Sequence, residues 1–414
     1  MRILHTSDWH LGQRLVNNDR ITEHQAVLNW LTATIIEQKT DILIIAGDIF
    51  DTRTPSNEAR ALYYSFLTGL QCTACRHIVI VGGNHDSPAM LNAPRDLLRF
   101  LNIHIIGCAT KNIADEVLIL RQADGKPELI VAAVPYLNDG DVRQGVAGET
   151  QDDRFVRTRQ GIVAHFDLAA SYIANLQKED ANLANVPVLA TGHLCVSGFE
   201  DNKDKASQIY VGSLENIFVE NFPPLFQYVA LGHIHRAQTF TSTTKNVPIV
   251  RYSGSIIPLS FSEVRDEKTV TLLACNDNKI TISQVIPVPL PRKLRTIRGS
   301  WTEVVAKLRA HEAASTDFVS WIEVIVESET TLTNLKTDLE TICTGLPLEI
   351  IKFKQVNTNT ENAITTAFEV SAVTLNNWQP IDVFEQRCAA ANITGEALQD
   401  LTASFMELLN KEKT

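Results

Sequence analysis

The sequence contains no long apolar run, and this absence excludes one class of protein. No stretch approaches the roughly eighteen apolar residues that a membrane-spanning helix needs. The polar cluster that begins at Asp8 belongs to the functional site predicted below, so residues 1–10 are not expected to be a removable signal peptide. We therefore predict a soluble, cytoplasmic protein that does not bind a membrane.

Cysteine is scarce and shows no pattern. The 7 cysteines are odd in number and irregularly spaced, which argues against a disulfide framework. Cys72 and Cys75 form a CxxC pair, but no second pair completes a zinc site. The cysteines are predicted to be reduced thiols, with a redox role for Cys72 and Cys75 as the alternative.

The chain also lacks an excess of positive charge. Its formal net charge is −11, whereas proteins that bind nucleic acid usually carry a basic surface. One stretch differs, because no carboxylate lies between Asp277 and Glu303. The basic residues in it are Lys279, Arg292, Lys293, Arg295 and Arg298. It is either a basic surface or a solvated linker with scattered bases, and we expect the isolated chain to bind DNA only modestly.

Five short polar clusters are the most informative feature that is present. Each follows an apolar run that reads as a buried strand, at residues 2–5, 42–46, 78–81, 188–190 and 228–231. The clusters occupy residues 8–10, 47–51, 83–86, 192–193 and 232–235. Ligands of open α/β sheets bind beyond the carboxyl ends of the strands, so the five clusters are predicted to meet at one place.

The residue types in these clusters favour a metal site. Aspartate carboxylates, imidazoles and one asparagine carbonyl suit two divalent ions of the manganese, iron or zinc kind, and no thiolate lies among them. A single such cluster is more often a turn or a helix cap. Five clusters in this order instead predict a site for two ions, which would activate a bound water and hold the attacking and leaving oxygens of an in-line displacement.

The order DxH, GDxxD, GNHD, GH and GHxH resembles the calcineurin-like metallophosphoesterases. The sequences around Asp8, Asp48 and His233, together with residues 252–261, are similar to the nuclease subunits of double-strand-break repair complexes. This resemblance covers residues 1 to about 285 strongly and the remainder more loosely. It implies an α/β fold with a two-sheet β-sandwich flanked by helices, a small α/β capping domain and C-terminal helices.

The resemblance also implies roles for individual residues. The residues expected to hold one ion are Asp8, His10, Asp48 and His235, and those expected to hold the other are Asp48, Asn84, His193 and His233. Asp48 would bridge the two ions, for which Mn²⁺ is the expected metal. His85 would bind no metal and would act as the catalytic histidine, which stabilises the transition state or protonates the leaving oxygen.

Asp51, at the last position of GDxxD, departs from part of the family. Archaeal and eukaryotic relatives carry a histidine there, which is linked to exonuclease action on duplex ends. In the wider family an aspartate at this position pairs with the GNHD histidine, so we predict that Asp51 orients His85. The alternative is that Asp51 caps the following helix, as Thr52 or Thr54 before Pro55 could do equally well.

Prolines predict the domain organisation. Pro287, Pro289 and Pro291 cannot continue a central strand or a helix, so a boundary is placed near residue 288. Residues 1–287 are predicted to form the nuclease domain and residues 288–375 the capping domain. Helices are expected near 22–38, 57–70, 153–177, 301–311 and 332–344, and strands near 129–134, 318–326 and 348–356. Strands near 247–253, 269–274 and 279–286 are expected to be antiparallel.

Residues 376–414 are predicted to form two amphipathic helices, near 381–390 and 395–411, with Thr394 as the cap of the second. The second helix carries one apolar stripe, made of Leu398, Leu401, Phe405, Leu408 and Leu409. The stripe could fold back on its own domain. The resemblance instead implies that it binds the coiled coil of a partner ATPase.

The predicted function is a metal-dependent DNA exonuclease and endonuclease that acts on duplex ends, hairpins and single strands in DNA repair, recombination and replication. Its expected partners are DNA, a coiled-coil ATPase and a second copy of the chain within a heterotetramer. One alternative is a phosphoesterase for small molecules or phosphoproteins, because the motifs do not choose the substrate. Another is a non-catalytic scaffold for DNA ends, against which the complete ligand set argues.

Overall fold

A computed structural model describes residues 1–146, 148–198, 217–243, 246–311, 318–328, 335–357 and 401. The strands in these residues are β1 (Arg2–Thr6), β2 (Arg14–Leu15), β3 (Asn18–Asp19), β4 (Ile42–Ala46), β5 (His77–Val81), β6 (Ile103–Ile106), β7 (Val117–Arg121), β8 (Pro127–Ala132), β9 (Val188–His193), β10 (Tyr228–Gly232), β11 (Gln238–Phe240), β12 (Ile249–Tyr252), β13 (Thr269–Asn276), β14 (Lys279–Pro287), β15 (Leu294–Ser300), β16 (Ser320–Ser328) and β17 (Leu348–Asn357). The helices are α1 (Ile21–Glu37), α2 (Asn57–Gly69), α3 (Pro88–Asn92), α4 (Arg95–Arg99), α5 (Asp139–Val142), α6 (Gln151–Glu179), α7 (Trp301–Arg309) and α8 (Leu335–Cys343).

Two six-stranded sheets form the larger part of the fold, as predicted. The first has the order β14-β13-β1-β4-β5-β6 and the second the order β11-β12-β10-β9-β8-β7. Strands β1, β4, β5 and β6 are parallel to one another, and so are β8, β9, β10 and β12. The carboxyl ends of the parallel strands therefore share an edge within each sheet.

Successive side chains of a strand point to opposite faces of its sheet, and this alternation explains how the two sheets pack. Ile42 and Ile44 of β4 belong to the apolar cluster that both sheets contribute to, whereas Leu43 and Ile45 pack in a second cluster with α1 and α2. A third cluster covers the outer face of the second sheet and includes Phe166 of α6. Strands buried on both faces read as continuous apolar runs, which is why the runs were visible in the sequence.

One strand prediction was wrong. Residues 247–253 were expected to be antiparallel to their neighbours, but β12 runs parallel to β10 and antiparallel only to β11. After β10 the chain forms β11, a strand of 3 residues at the sheet edge, and then reverses direction. The next strand, β12, lies between β11 and β10 and is therefore parallel to β10. Strands β13 and β14 form the antiparallel pair that was predicted.

A separate parallel sheet, in the order β15-β16-β17, follows β14, which ends at Pro287. It has its own apolar cluster, to which α7 and α8 contribute Val304, Leu308 and Leu339. The predicted elements of the capping domain are thus present in the described residues, while the division of the chain at residue 288 stays a prediction. The predicted terminal helices lie outside the described residues, apart from Leu401.

Among the described residues, no cysteine takes part in a disulfide. Burial raises the pKa of Cys75 to about 12, and a thiol that resists ionisation is a poor redox nucleophile. Among the described residues, no helix combines the length and apolar character that crossing a membrane requires.

Candidate metal centre

The predicted site residues meet where the carboxyl ends of five strands converge. Strands β1, β4 and β5 bring the first three clusters from one sheet, and β9 and β10 bring the last two from the other. His193 at the end of β9 donates a hydrogen bond from Nδ1 to the backbone oxygen of Ala46 at the end of β4, over 3.0 Å. This bond joins the two sheets at the site.

Four of the site residues adopt a left-handed backbone although none is glycine. The φ angles are 51° at Asp8, 46° at His10, 50° at Asp48 and 96° at His233. Such angles are uncommon outside glycine and persist only where the surrounding structure enforces them, which happens most often at functional sites. The loops after β1, β4 and β10 therefore adopt unfavourable backbone angles that direct these side chains into the site.

The first half of the centre contains Asp8, His10 and His235. Their ligand atoms lie within 4.8 Å of one another, and the rings of His10 and His235 are 5.1 Å apart. His10 Nε2 is buried, and no atom in the described part of the chain forms a hydrogen bond with it. A buried polar atom normally has a partner, so this orphaned nitrogen fits a metal ion.

The second half contains Asn84, His193 and His233. Asn84 Oδ1 lies 3.0 Å from His193 Nε2 and 3.0 Å from His233 Nδ1. Asp48 lies between the halves, because its Oδ2 is 3.4 Å from His10 Nε2 and 3.2 Å from His193 Nε2. This oxygen therefore lies close to one histidine of each half.

Burial and mutual charge set the protonation of the centre. Burial alone would raise the pKa of Asp48, but His193 and His10 beside it hold that pKa well below its usual range. Burial lowers the pKa of His193, but this effect is outweighed by Asp48, and the pKa rises to about 9. Burial and the neighbouring His193 lower the pKa of His233 to about 4. A metal that binds here must displace a proton from His193.

The structure corrects the expected contact between Asp51 and His85. His85 is exposed, and its Nδ1 donates to the backbone oxygen of Asp51 over 2.8 Å. The carboxylate of Asp51 instead accepts from His10 Nδ1 at 3.2 Å. The carboxylate therefore orients a predicted ligand, and only the carbonyl orients His85. The capping alternative was also wrong, because α2 is capped by Ser56, whose hydroxyl accepts from Ala59 N at 3.2 Å.

Two residues at the site were missed in the sequence. The buried carboxylate of Asp86 accepts backbone N–H bonds from Gly83, Ile49 and Phe50 at 2.9–3.1 Å, and so ties the GNHD loop to the GDxxD loop. Burial and the neighbouring Asp48 raise the pKa of Asp86 to about 6. The last letter of GNHD was the signal for this residue.

Glu263 is the second missed residue. Its Oε1 lies 3.1 Å from Nδ1 of His235. Burial would raise the pKa of Glu263, but hydrogen bonding to His235 and the charge of Lys268 outweigh it and lower that pKa to about 2. Glu263 lies 28 residues beyond His235 and belongs to none of the five clusters, so no motif could have indicated it.

Two family models match the chain. Residues 1–237 match the model described as calcineurin-like phosphoesterase. Residues 290–392 match the model described as type 5 capsule protein repressor C-terminal domain. The first match ends just beyond His235 and contains every residue that we predicted as a ligand.

Similar proteins include two curated SbcD proteins, which are subunits of the nuclease SbcCD. SbcD of Escherichia coli (strain K12) is 32% identical over 410 residues, which cover 99% of this chain and 98% of that protein. SbcD of Rhodobacter capsulatus is 33% identical over 300 residues, 70% of each chain. Among solved structures, a dimetal phosphatase from Danio rerio matches 70% of this chain and 99% of its own, with 11% identity and a TM-score of 0.41.

Proposed function

The chain belongs to the calcineurin-like phosphoesterases as an SbcD-type nuclease subunit, and on that premise we propose how it acts on DNA. It is a metal-dependent phosphodiester hydrolase. We propose that its substrates are duplex ends, hairpins and single strands, that it serves DNA repair, recombination and replication, and that Mn²⁺ is its metal.

The position of the Asp48 carboxylate supports the proposal that the site binds two metal ions. Oδ2 of Asp48 lies within 3.4 Å of nitrogen atoms from His10 and His193, which belong to opposite halves of the centre. The proposed ligands are Asp8, His10, Asp48, Asn84, His193, His233 and His235. Divalent ions at such a site supply Lewis acidity and make water a stronger nucleophile near neutral pH.

The proposed role of His85 is to serve the leaving oxygen. Its Nδ1–H is held by the backbone oxygen of Asp51, so Nε2 is the atom left to carry a proton. The ring of His85 lies 4.8 Å from that of His10, at the edge of the first half of the centre. A histidine held in this way can donate a proton to the oxygen that departs, or a hydrogen bond to the phosphate.

The function is tested by comparing substrates on one preparation of the full chain. With Mn²⁺ we expect cleavage of a labelled DNA hairpin and of single-stranded DNA, and EDTA should stop it. Para-nitrophenyl phosphate should be a poor substrate. Efficient hydrolysis of this phosphomonoester without DNA cleavage would favour the small-molecule alternative, and DNA binding without hydrolysis of any substrate would favour the scaffold.

We further propose that residues 288–375 form the capping domain and that residues 376–414 bind the coiled coil of an SbcC-type ATPase. The family match over residues 290–392 supports a boundary near residue 288. Of the terminal segment, the structure describes Leu401 alone, which is helical and 43% exposed. An exposed leucine on the predicted apolar stripe is available to a partner.

Deletion of residues 376–414 is expected to abolish co-purification with the ATPase. Cleavage of single strands with Mn²⁺ should survive, because every proposed ligand lies at or before His235. Affinity purification of co-expressed partners and a cleavage assay on the truncated chain give the two readings. Retention of the ATPase at full affinity, or unfolding of the truncated chain, would assign this segment to the protein's own core.

An exposed apolar patch supports a homodimer within a heterotetramer. Leu97, Phe100 and Leu101 are 71%, 88% and 38% exposed and lie in and just after α4. Large apolar side chains clustered on a surface mark sites of association, and full burial contributes about 1.5–3 kcal/mol for each side chain.

Phe100→Asp is expected to convert the dimer to a monomer, because a carboxylate cannot be buried against an apolar partner at low cost. Light scattering after size-exclusion chromatography measures the mass. Leu168→Asp is the matched control, since Leu168 is 54% exposed on α6, which packs on the other sheet. A dimer that survives Phe100→Asp, or that Leu168→Asp also dissociates, places the interface elsewhere.

A further inference from the structure

A short turn at Phe261–Glu263 lies behind His235 and presents Glu263 to it. Glu263 Oε1 and His235 Nδ1 are 3.1 Å apart. A carboxylate that is ionised can only accept, so the hydrogen of this bond is carried by Nδ1 of His235. The contact thus fixes which nitrogen of His235 is available to a metal ion.

The other oxygen of Glu263 is held just as firmly. Oε2 accepts from Lys268 Nζ at 2.6 Å and from the backbone nitrogen of Leu259 at 3.1 Å. The carboxylate therefore has one oxygen anchored to the protein and one directed at the imidazole. These contacts fix the plane of the Glu263 carboxylate without a metal ion.

Lys268 is fully buried, with a side-chain exposure of 0%. Its ammonium also donates to the hydroxyl of Ser255 at 2.8 Å and to the backbone oxygen of His235 at 3.0 Å. A buried ammonium is costly unless it is paired and fully hydrogen-bonded. Here all three N–H donors of the ammonium are used. Two of the acceptors are the backbone oxygen of His235 and the Glu263 carboxylate, which orients the His235 ring.

We propose that Glu263, braced by Lys268, is a positioning residue for His235 and sets the affinity of one of the two metal sites. Carboxylates that accept from a metal-ligating histidine fix its ring and raise its basicity. His10 has the same arrangement through Asp51, so both histidines of the first half are held by carboxylates. This inference rests on the proposed ligand set, in which His235 serves one ion and not the other.

The experiment is a titration of the full, metal-free chain with Mn²⁺ alone. Calorimetry measures the heat of each binding step, and electron paramagnetic resonance measures the free Mn²⁺. Glu263→Gln should weaken one of the two binding steps about 10–100-fold and leave the other unchanged, the loss typical for a partner of a metal-bound histidine. Glu267→Gln is the matched control, because Glu267 is exposed and lies four residues away. It should bind both ions as the unaltered chain does.

Glu263→Gln also leaves the buried ammonium of Lys268 without its counter-charge, so a second variant separates folding from positioning. Glu263→Gln combined with Lys268→Met removes both charges and should recover the urea midpoint of the unaltered chain. One binding step should nevertheless remain about 10–100-fold weaker, because a neutral amide orients the imidazole less strongly.

Two ions at normal affinity in the double variant would overturn the proposal and leave Glu263 as a counter-charge for Lys268 only. Equal weakening of both steps would also overturn it. If the unaltered chain binds two ions but cleaves no DNA, the proposed substrate fails while the positioning role is still decided by the titration.

Discussion

Replacing His85 with alanine is expected to slow DNA cleavage by about 10²–10⁴-fold, the usual contribution of a general acid or base, while both metal ions stay bound. His85 is exposed and its ring nitrogen Nδ1 contacts a backbone carbonyl rather than the proposed ligands. Removal of the ring therefore takes away a proton donor without opening the centre. Calorimetric titration with Mn²⁺ and a hairpin cleavage assay on one preparation measure the two effects.

Asp48→Ala is the counterpart of that variant and should lose metal and activity together. The Oδ2 atom of Asp48 is near both His10 and His193, and Oδ1 accepts the backbone N–H of His85 at 2.9 Å. The variant thus removes the proposed bridge and also frees the loop that carries His85. Loss of metal from His85→Ala equal to that from Asp48→Ala would show that His85 is itself a ligand.

The convergence of the clusters was predictable because it follows from parallel strands and from burial on both faces. Each apolar run became a strand of one of the two sheets, and each polar cluster lies at the carboxyl end of its strand. Those features depend on residues that are adjacent in sequence. The position of His193 beside Asp48 follows in turn from the packing of one sheet on the other.

The contacts of Asp51 could not be predicted in the same way. The motif states that Asp51 and His85 are close, and they are, but it does not state which atom of Asp51 faces which ring. The loop after β4 has a left-handed residue at Asp48, and the carbonyl of Asp51 is the atom that meets His85. Glu263 could not be predicted for another reason, because its partner His235 is 28 residues away in the sequence.

Gly232 ends β10 and lies beside Ala46, the last residue of β4 in the other sheet. A Cβ atom built on Gly232 would lie 1.9 Å from the backbone oxygen of Ala46 and 2.8 Å from Nδ1 of His193. Both distances are far inside van der Waals contact, and the nearer atom is backbone that cannot rotate away. Because that same oxygen accepts the hydrogen bond of His193, any shift of Ala46 displaces a proposed ligand.

We therefore expect Gly232→Ala to destabilise the fold by about 1–3 kcal/mol, the cost typical of overpacking, and to weaken Mn²⁺ binding although no ligand side chain is changed. Gly69→Ala is the control, since Gly69 has helical φ and ψ at the end of α2 and nothing lies within 4 Å of its added Cβ. It should be neutral or stabilising by up to about 1 kcal/mol. Urea unfolding and Mn²⁺ titration of both variants provide the comparison. Unaltered stability and affinity in Gly232→Ala would mean that the sheets can separate here by more than an ångström without disturbing the centre, and the contact between Ala46 and His193 would then not be what aligns the two halves.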